Sequence, residues 1–178
     1  MTELNFRAAT LEDVDAIIPL VESAYRGEAS RKGWTTEADF LDGQRIDRQL
    51  LEELIGRSDA RVVLLERGSL LLACCELQDQ GGTAYFGMFS VRPDGQGSGT
   101  GNLLLAEAER IAADEWHCNE VRMTVIDIRN ELIAWYERRG YQRTGEYKPF
   151  PYGDERFGIP RRDDLRFEVL RKSLTQKT

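Results

Sequence analysis

Residues 91–101 read Val-Arg-Pro-Asp-Gly-Gln-Gly-Ser-Gly-Thr-Gly, and this stretch decides how the rest of the sequence is interpreted. A β-rich run precedes it, and apolar residues at helical spacing follow it, beginning with Leu103 and Leu104. Glycines let the backbone approach a ligand closely, and the free amides at a helix N-terminus suit phosphate. The stretch indicates a phosphate-binding strand–loop–helix unit, and the alternative is a glycine-rich turn without a ligand.

Two common phosphate-binding fingerprints fail on this stretch. A dinucleotide-binding loop needs glycines at relative positions one, three and six, and no start within residues 95–101 provides them. A Walker loop ends in Gly-Lys-Ser/Thr, and residues 92–110 contain no lysine. The pattern that remains is Gln96-x-x-Gly99-x-Gly101.

This pattern, with its flanking strand and following helix, closely resembles the pyrophosphate loop of the GNAT acetyltransferase superfamily. The resemblance implies that the loop holds the pyrophosphate of acetyl-CoA, which serves as co-substrate. It assigns this contact to the loop residues Gln96, Gly97, Ser98, Gly99, Thr100 and Gly101. It assigns the pantetheine arm to the backbone of the preceding strand, at Phe89, Ser90 and Val91.

A second segment, residues 130–141, reads Asn-Glu-Leu-Ile-Ala-Trp-Tyr-Glu-Arg-Arg-Gly-Tyr and is similar to a segment of the same superfamily. The tyrosine there, Tyr136 in this chain, often protonates the departing thiolate of coenzyme A. A phenol with a pKa of about 10 is a neutral donor at cell pH, so Tyr136 has the chemistry of a general acid. The alternative is an amphipathic helix in which Tyr136 only packs.

The superfamily's asparagine commonly stands seven residues before this tyrosine, where the present chain has Arg129. Asn130 lies one residue later. It is therefore a candidate either for contact with the cofactor or for a helix cap only.

The general base is to be found outside residues 83–91, which contain no acidic residue although some superfamily members carry a glutamate there. Glu76, near the end of the neighbouring β-rich run, is the first candidate, and Asp127 is the second. Each could instead be a solvated carboxylate at a strand end. A chain of water molecules could also carry the proton.

Hydrophobic patterning along the chain predicts the element order β-α-α-β-β-β-α-β-α-β-β. Antiparallel hairpins followed by a β-α-β crossover predict a mixed sheet with helices on its faces. With the resemblance, this gives an α/β (α+β) fold with a GNAT-like, mostly antiparallel central sheet. No linker-like segment divides the chain, so residues 1–178 are expected to form a single domain.

Composition excludes several other classes. The 178 residues carry 24 Lys and Arg against 31 Asp and Glu, a net charge of -7 with a pI near 4.9, which argues against a nucleic-acid backbone binder. The longest apolar run, residues 70–75, is far shorter than the roughly 20 residues of a membrane helix. The N-terminus lacks the features of a signal peptide, so a cytoplasmic location is expected.

Cysteine and histidine usage predicts the absence of a metal site. Three cysteines, two of them adjacent, form neither a disulfide framework nor a metal-binding pair at CxxC spacing. The single histidine has no acidic or thiol partners at ligand spacing. We therefore expect no metal requirement.

The resemblance implies an acetyl-CoA-dependent N-acetyltransferase that moves an acetyl group to a primary amine by direct attack. In this scheme a backbone amide of residues 89–91 stabilises the oxyanion. An acyl-CoA-binding sensor or regulatory domain without catalysis is the alternative from another class, and a nucleotide-binding protein is a third. The acidic net charge mildly suits a cationic acceptor such as a polyamine or a lysine side chain. The sequence leaves the oligomeric state open, a homodimer included.

Overall fold

The structure is a computed structural model that describes residues 3–26, 36–38, 41–93 and 99–174. Its longer helices are α1 Val14–Tyr25, α2 Arg48–Gly56, α3 Thr100–Arg110 and α4 Asn130–Glu137. Its strands are β1 Leu4–Ala8, β2 Leu41–Asp42, β3 Ala60–Arg67, β4 Leu70–Asp79, β5 Thr83–Val91, β6 Glu120–Ile126, β7 Gln142–Pro149, β8 Ile159–Pro160 and β9 Arg166–Ser173. Within the described ranges, no helix is both long enough and apolar enough to cross a membrane.

Seven of these strands form one sheet, in the order β1-β3-β4-β5-β6-β9-β7. Strands β5 and β6 are parallel, and the other neighbours are antiparallel. Strands β2 and β8 form a separate antiparallel pair. The predicted fold class, a mixed and mostly antiparallel sheet flanked by helices, is confirmed.

Both faces of the sheet are covered, as alternation along the central strands shows. In β3, Val63 and Leu65 belong to the apolar cluster that includes residues of α3 and α4, whereas Val62 and Leu64 belong to the cluster beneath α1 and α2. Since successive strand residues point to opposite faces, a continuous apolar run is what a sheet covered on both sides requires. The adjacent cysteines of β4 follow the same alternation: Cys75 belongs to the first cluster and Cys74 to the second.

Strands β5 and β6 are paired over a short length only. Their pairing runs from Thr83–Glu120 to Tyr85–Arg122. On its other side, β5 pairs with β4 through a register shift that leaves Met88 in the left-handed region, at a φ of 52°. A non-glycine residue held at positive φ is a strained feature that tends to occur at functional sites. The bulge and the early end of the β5–β6 pairing open a gap in the sheet beside the second half of β5.

The phenyl ring of Phe89 connects this gap to the two helices that flank it. An added Cβ at Gly101, in the first turn of α3, would lie 2.9 Å from the ring's Cζ atom. On its other side the ring stacks on Trp135 of α4, with ring centroids 5.5 Å apart. Gly101 is therefore required for close packing of the α3 N-terminus on β5, a requirement that is separate from ligand binding.

The predicted helix cap at Asn130 is wrong by one residue. The capping position is occupied by Arg129, and Asn130 is the first residue of α4, with its side chain exposed. The backbone N–H of Asn130 instead donates to the carbonyl of Ile128 at 3.0 Å. A short turn before the helix thus pairs the first backbone amide of α4, and the Asn130 side chain makes no cap.

Candidate active site

A cavity of about 290 Å³ lies in the gap between the diverging parts of β5 and β6. Its strand walls are formed by residues 85–89 of β5 and 123–126 of β6. The rest of the wall is a mixture of charged, aromatic and aliphatic side chains from several other parts of the chain. These are Tyr25, Arg26, Glu37, Leu41, Arg45, Glu76, Arg129, Leu132, Tyr136, Phe150, Pro151, Phe157 and Phe167. Both residues predicted to be catalytic, Glu76 and Tyr136, are among them.

Tyr136 lies on the buried face of α4 and is only 3% exposed. Its ring makes edge-on contacts with Phe86, Trp135 and Tyr141. Burial raises the pKa of Tyr136 well above the ordinary value for a phenol, so the hydroxyl stays protonated at neutral pH. The side chain thus packs in the core, as the packing interpretation predicts. It also lines the cavity, as a general acid would have to.

Glu76 is half-buried in the middle of the sheet, where it pairs with Gly87 of β5. A Cβ at Gly87 would lie 2.7 Å from the Oε1 atom of Glu76, so only glycine leaves room for the carboxylate. The Gln78 amide donates to Oε2 at 3.0 Å. Burial nevertheless raises the pKa of Glu76 above its ordinary value. A mid-strand glycine opposite an acidic residue is the sequence signal for this arrangement.

Asp127, the second candidate base, does not lie on the cavity wall. Its carboxylate accepts a hydrogen bond from the Arg166 guanidinium at 2.6 Å and forms an ion pair with it. The structure therefore brings Glu76, and not Asp127, to the same cavity as Tyr136.

A buried ion chain that the sequence analysis missed forms another part of the wall. One oxygen of the Glu37 carboxylate pairs with the Arg26 guanidinium, and the other pairs with the Arg129 guanidinium at 3.0 Å. All three side chains are at most 7% exposed. Burial alone would raise the pKa of Glu37, but the charges of Arg129 and Arg26 hold it below its ordinary value. The chain joins the end of α1 to the turn before α4.

Tyr25, the last residue of α1, connects this ion chain to the bulge in β5. Its hydroxyl donates to the backbone carbonyl of Phe89. The guanidinium groups of Arg45 and Arg129 lie 4.9 and 5.6 Å from the centre of its ring. Burial raises the pKa of Tyr25 to about 12, so this hydroxyl also stays protonated. The carbonyl of Phe89 therefore already has a hydrogen-bond donor within the protein.

The predicted cofactor residues fall on either side of a gap in the described chain. Gln96, Gly97 and Ser98 lie outside the described residues, whereas Phe89, Ser90 and Val91 form the end of β5. Gly99 is the capping residue of α3, with a left-handed φ of 86°, and Thr100 and Gly101 begin the helix. Asn130, exposed on the first turn of α4, does not line the cavity.

The described residues contain no group of three or more His, Cys, Asp or Glu side chains placed to hold a metal ion. The three cysteines are all buried free thiols. Cys118 is the one closest to a carboxylate, with its sulfur 3.8 Å from Oδ1 of Asp79.

Comparison with known proteins gives one family and one fold. Residues 58–143 match the model of the acetyltransferase (GNAT) domain. No curated protein sequence matches the chain. An N-acetyltransferase from Staphylococcus aureus Mu50 is structurally similar, with a TM-score of 0.72 and 11% identity over 97% of this chain and 98% of that one.

Two further solved structures have the same fold. The PaiA N-acetyltransferase from Thermoplasma acidophilum, in complex with coenzyme A, has a TM-score of 0.67 and 18% identity over 96% of this chain and 99% of its own. A spermidine N-acetyltransferase chimera from Vibrio cholerae and hSSAT has a TM-score of 0.69 and 17% identity over 97% and 96%. At such identities these matches show the fold alone. The domain match and the shared fold confirm the predicted family.

We predict that replacing Glu37 by Gln lowers the free energy of unfolding by about 3–5 kcal/mol, because the buried positive charges of Arg26 and Arg129 would lose the carboxylate that they share. Urea unfolding followed by circular dichroism measures the change. Asp164→Asn, which breaks the exposed pair with Arg162, is the control and should cost less than about 1 kcal/mol. Equal effects of the two substitutions would contradict a structural role for the ion chain.

Proposed function

Because this chain is an N-acetyltransferase of the GNAT fold, we propose that it moves the acetyl group of acetyl-CoA to a primary amine by direct attack. The observation that carries this proposal is the meeting of a buried phenol, Tyr136, and a half-buried carboxylate, Glu76, on one cavity. We propose further that residues 1–178 form a single domain. Strands from both ends of the chain, β1 and β9, belong to the same sheet, which supports this.

The residues around the cavity fit acetyl-CoA at two places. Beyond Tyr85, β5 no longer pairs with β6, so the backbone of residues 86–91 has an edge at which an amide-containing pantetheine arm can pair. The N-terminus of α3 begins at Gly99, beyond the end of this strand, and its first amides suit a pyrophosphate. Acetyl-CoA supplies an acetyl group that is already activated as a thioester.

Two side chains of this chain would move the protons. The amine nitrogen bonds to the acetyl carbon as the carbon–sulfur bond breaks, so the amine loses one proton and the thiolate gains one. Glu76 accepts the first, directly or through water, and Tyr136 donates the second. Both side chains return to their starting states by exchange with solvent. A backbone N–H within residues 89–91 stabilises the oxyanion, on a strand that Tyr25 holds in place.

The position of Glu76 favours an enzyme over a sensor that only binds acyl-CoA. Strand β5 itself carries no acidic residue, which taken alone would suit a sensor. Glu76 reaches over Gly87 of β5, so a carboxylate lies beside that strand although it belongs to β4. The three buried free thiols support the proposed cytoplasmic location, where cysteines stay reduced.

We predict that Gly99→Val weakens the binding of coenzyme A at least about tenfold, as measured by calorimetry. At the φ of 86° a β-branched residue is strained, so the backbone that presents the α3 amides must change. Gly81→Val is the matched control, since Gly81 also has a positive φ and open space around it but lies in the β4–β5 turn. Unchanged affinity for coenzyme A in a folded Gly99→Val protein would show that the loop is not part of the binding site.

We predict that Glu76→Gln lowers kcat by roughly 100- to 10,000-fold, the usual contribution of a general base. In the parent enzyme, kcat should rise with pH as Glu76 loses its proton, at a pKa raised by burial, and the variant should lack this limb. Asp127→Asn is the control, because Asp127 lies off the cavity. A pH–rate profile altered by Asp127→Asn but not by Glu76→Gln would reverse the assignment.

We predict that Tyr136→Phe lowers kcat by roughly 100-fold or more while acetyl-CoA affinity changes little, because the ring is kept and only the proton donor is lost. Thiol release measures the rate. The neighbouring Tyr141→Phe is the control: it removes a buried hydroxyl that donates to Glu109 at 2.9 Å, so stability should fall and kcat should not. If Tyr136→Phe keeps kcat within about threefold of the parent, Tyr136 has only a packing role.

A further inference from the structure

Arg45 is a cation on the wall of the active-site cavity. Its half-buried guanidinium makes no ion pair or hydrogen bond with any described residue, and its one direct contact is the face of the Tyr25 ring. Arg26 and Arg129, the other two cations of the cavity, are both bound to Glu37. Among the described residues its N–H donors are neither engaged nor fully buried, so all five stay open to water or to an anion in the cavity.

The described side chains that line the cavity have a positive balance of charge, opposite in sign to that of the whole chain. Three arginines face it against two glutamates, Glu37 and Glu76. Glu76 is in addition the residue that would take up a proton during the reaction. A polyamine or a lysine side chain, which the net charge of -7 suits, would bring further positive charge into this space.

Arg45 and Glu76 both line the active-site cavity. Both also line a second cavity of about 280 Å³, beside α2, which shares Met88 and Phe157 with the first. The positive charge of Arg45 lowers the pKa of Glu76 against the effect of burial, which places the two groups within electrostatic reach. One small molecule can therefore present an amine to Glu76 and an anionic group to Arg45.

We propose that the acceptor is a free α-amino acid, an inference that rests on the proposed acetyl transfer. Its amine faces Glu76, and its carboxylate pairs with the Arg45 guanidinium, for which an oxyanion is the matching partner. Its side chain lies against the apolar wall formed by Leu41, Phe150 and Phe157. The cavity volume of about 290 Å³ suits a compact molecule.

The test compares amino acids with the amines that differ from them only in lacking the carboxylate. Leucine and isoamylamine, phenylalanine and phenethylamine, and alanine and ethylamine form three matched pairs, with spermidine as the polycation. Thiol release gives kcat/KM for each, expressed per unprotonated amine. We expect at least one amino acid to exceed its matched amine by about 10- to 100-fold, the usual range for a charge-assisted pair, and to exceed spermidine as well.

Replacing Arg45 tests whether its guanidinium is the group that binds the carboxylate of the amino acid. Arg45→Gln should bring the ratio between the preferred amino acid and its matched amine close to one, and Arg45→Lys, which keeps the charge, should restore part of it. Arg48→Gln is the control: its exposed side chain pairs with Asp15, so the ratio should not change. An N-acetyl amino acid should also raise the Tm of the parent protein and of Arg48→Gln, but not of Arg45→Gln.

The outcomes separate the two proposals. If isoamylamine, phenethylamine or spermidine is used as well as the amino acids, the acceptor assignment is wrong while acetyl transfer stands. A preference that survives Arg45→Gln would also overturn the assignment. If no amine of the panel releases thiol while coenzyme A still binds, the proposed acetyl transfer fails, and the acceptor assignment fails with it.

Discussion

The brief pairing between β5 and β6 is the constraint on which the rest of the site depends. A sheet that paired these strands over their full length would leave no cavity between them, whereas here pairing stops after Tyr85–Arg122. Unpaired strand edges expose N–H and C=O groups that need other partners. The Tyr25 hydroxyl donates to one of these groups, the carbonyl of Phe89. The bulge at Met88 shifts the register of β5 against β4. The edge that remains is where a ligand backbone can pair.

The ring of Phe89 connects the start of α3, on the proposed cofactor side of the site, to Tyr136, the proposed proton donor. It lies against Gly101 at the start of α3 and against both Trp135 and Tyr136 of α4. Because packed cores resist small displacements, a shift of the α3 N-terminus is transmitted through this ring to the phenol. The glycine that the sequence pattern assigned to phosphate binding therefore has a packing role as well, and the two roles require the same residue.

The sequence could predict the features that have local signals. The glycine pattern after a strand, the alternation in β3 and β4, and the segment around Tyr136 each identify an element and its place. The ion chain of Arg26, Glu37 and Arg129 has no such signal, because its members are far apart in sequence and charged residues are usually exposed. The cap at Asn130 failed for a different reason: the helix begins one residue earlier than the pattern indicates, so Asn130 lies inside its first turn.

The contrast between the acidic chain and the positive cavity follows from how charges act at different depths. Many surface charges are paired, as in Arg162–Asp164 and Arg156–Asp154, and at physiological salt their fields fade within about 8 Å. Arg45 is less exposed to solvent, and its neighbours are the Tyr25 ring and the apolar cavity wall, so its charge is screened less. Net charge can therefore influence which molecules approach the protein, but the choice among amines that enter the cavity depends on the charges that line it. Since Arg26 and Arg129 are both bound to Glu37, Arg45 and Glu76 are the two groups that we propose to select the acceptor.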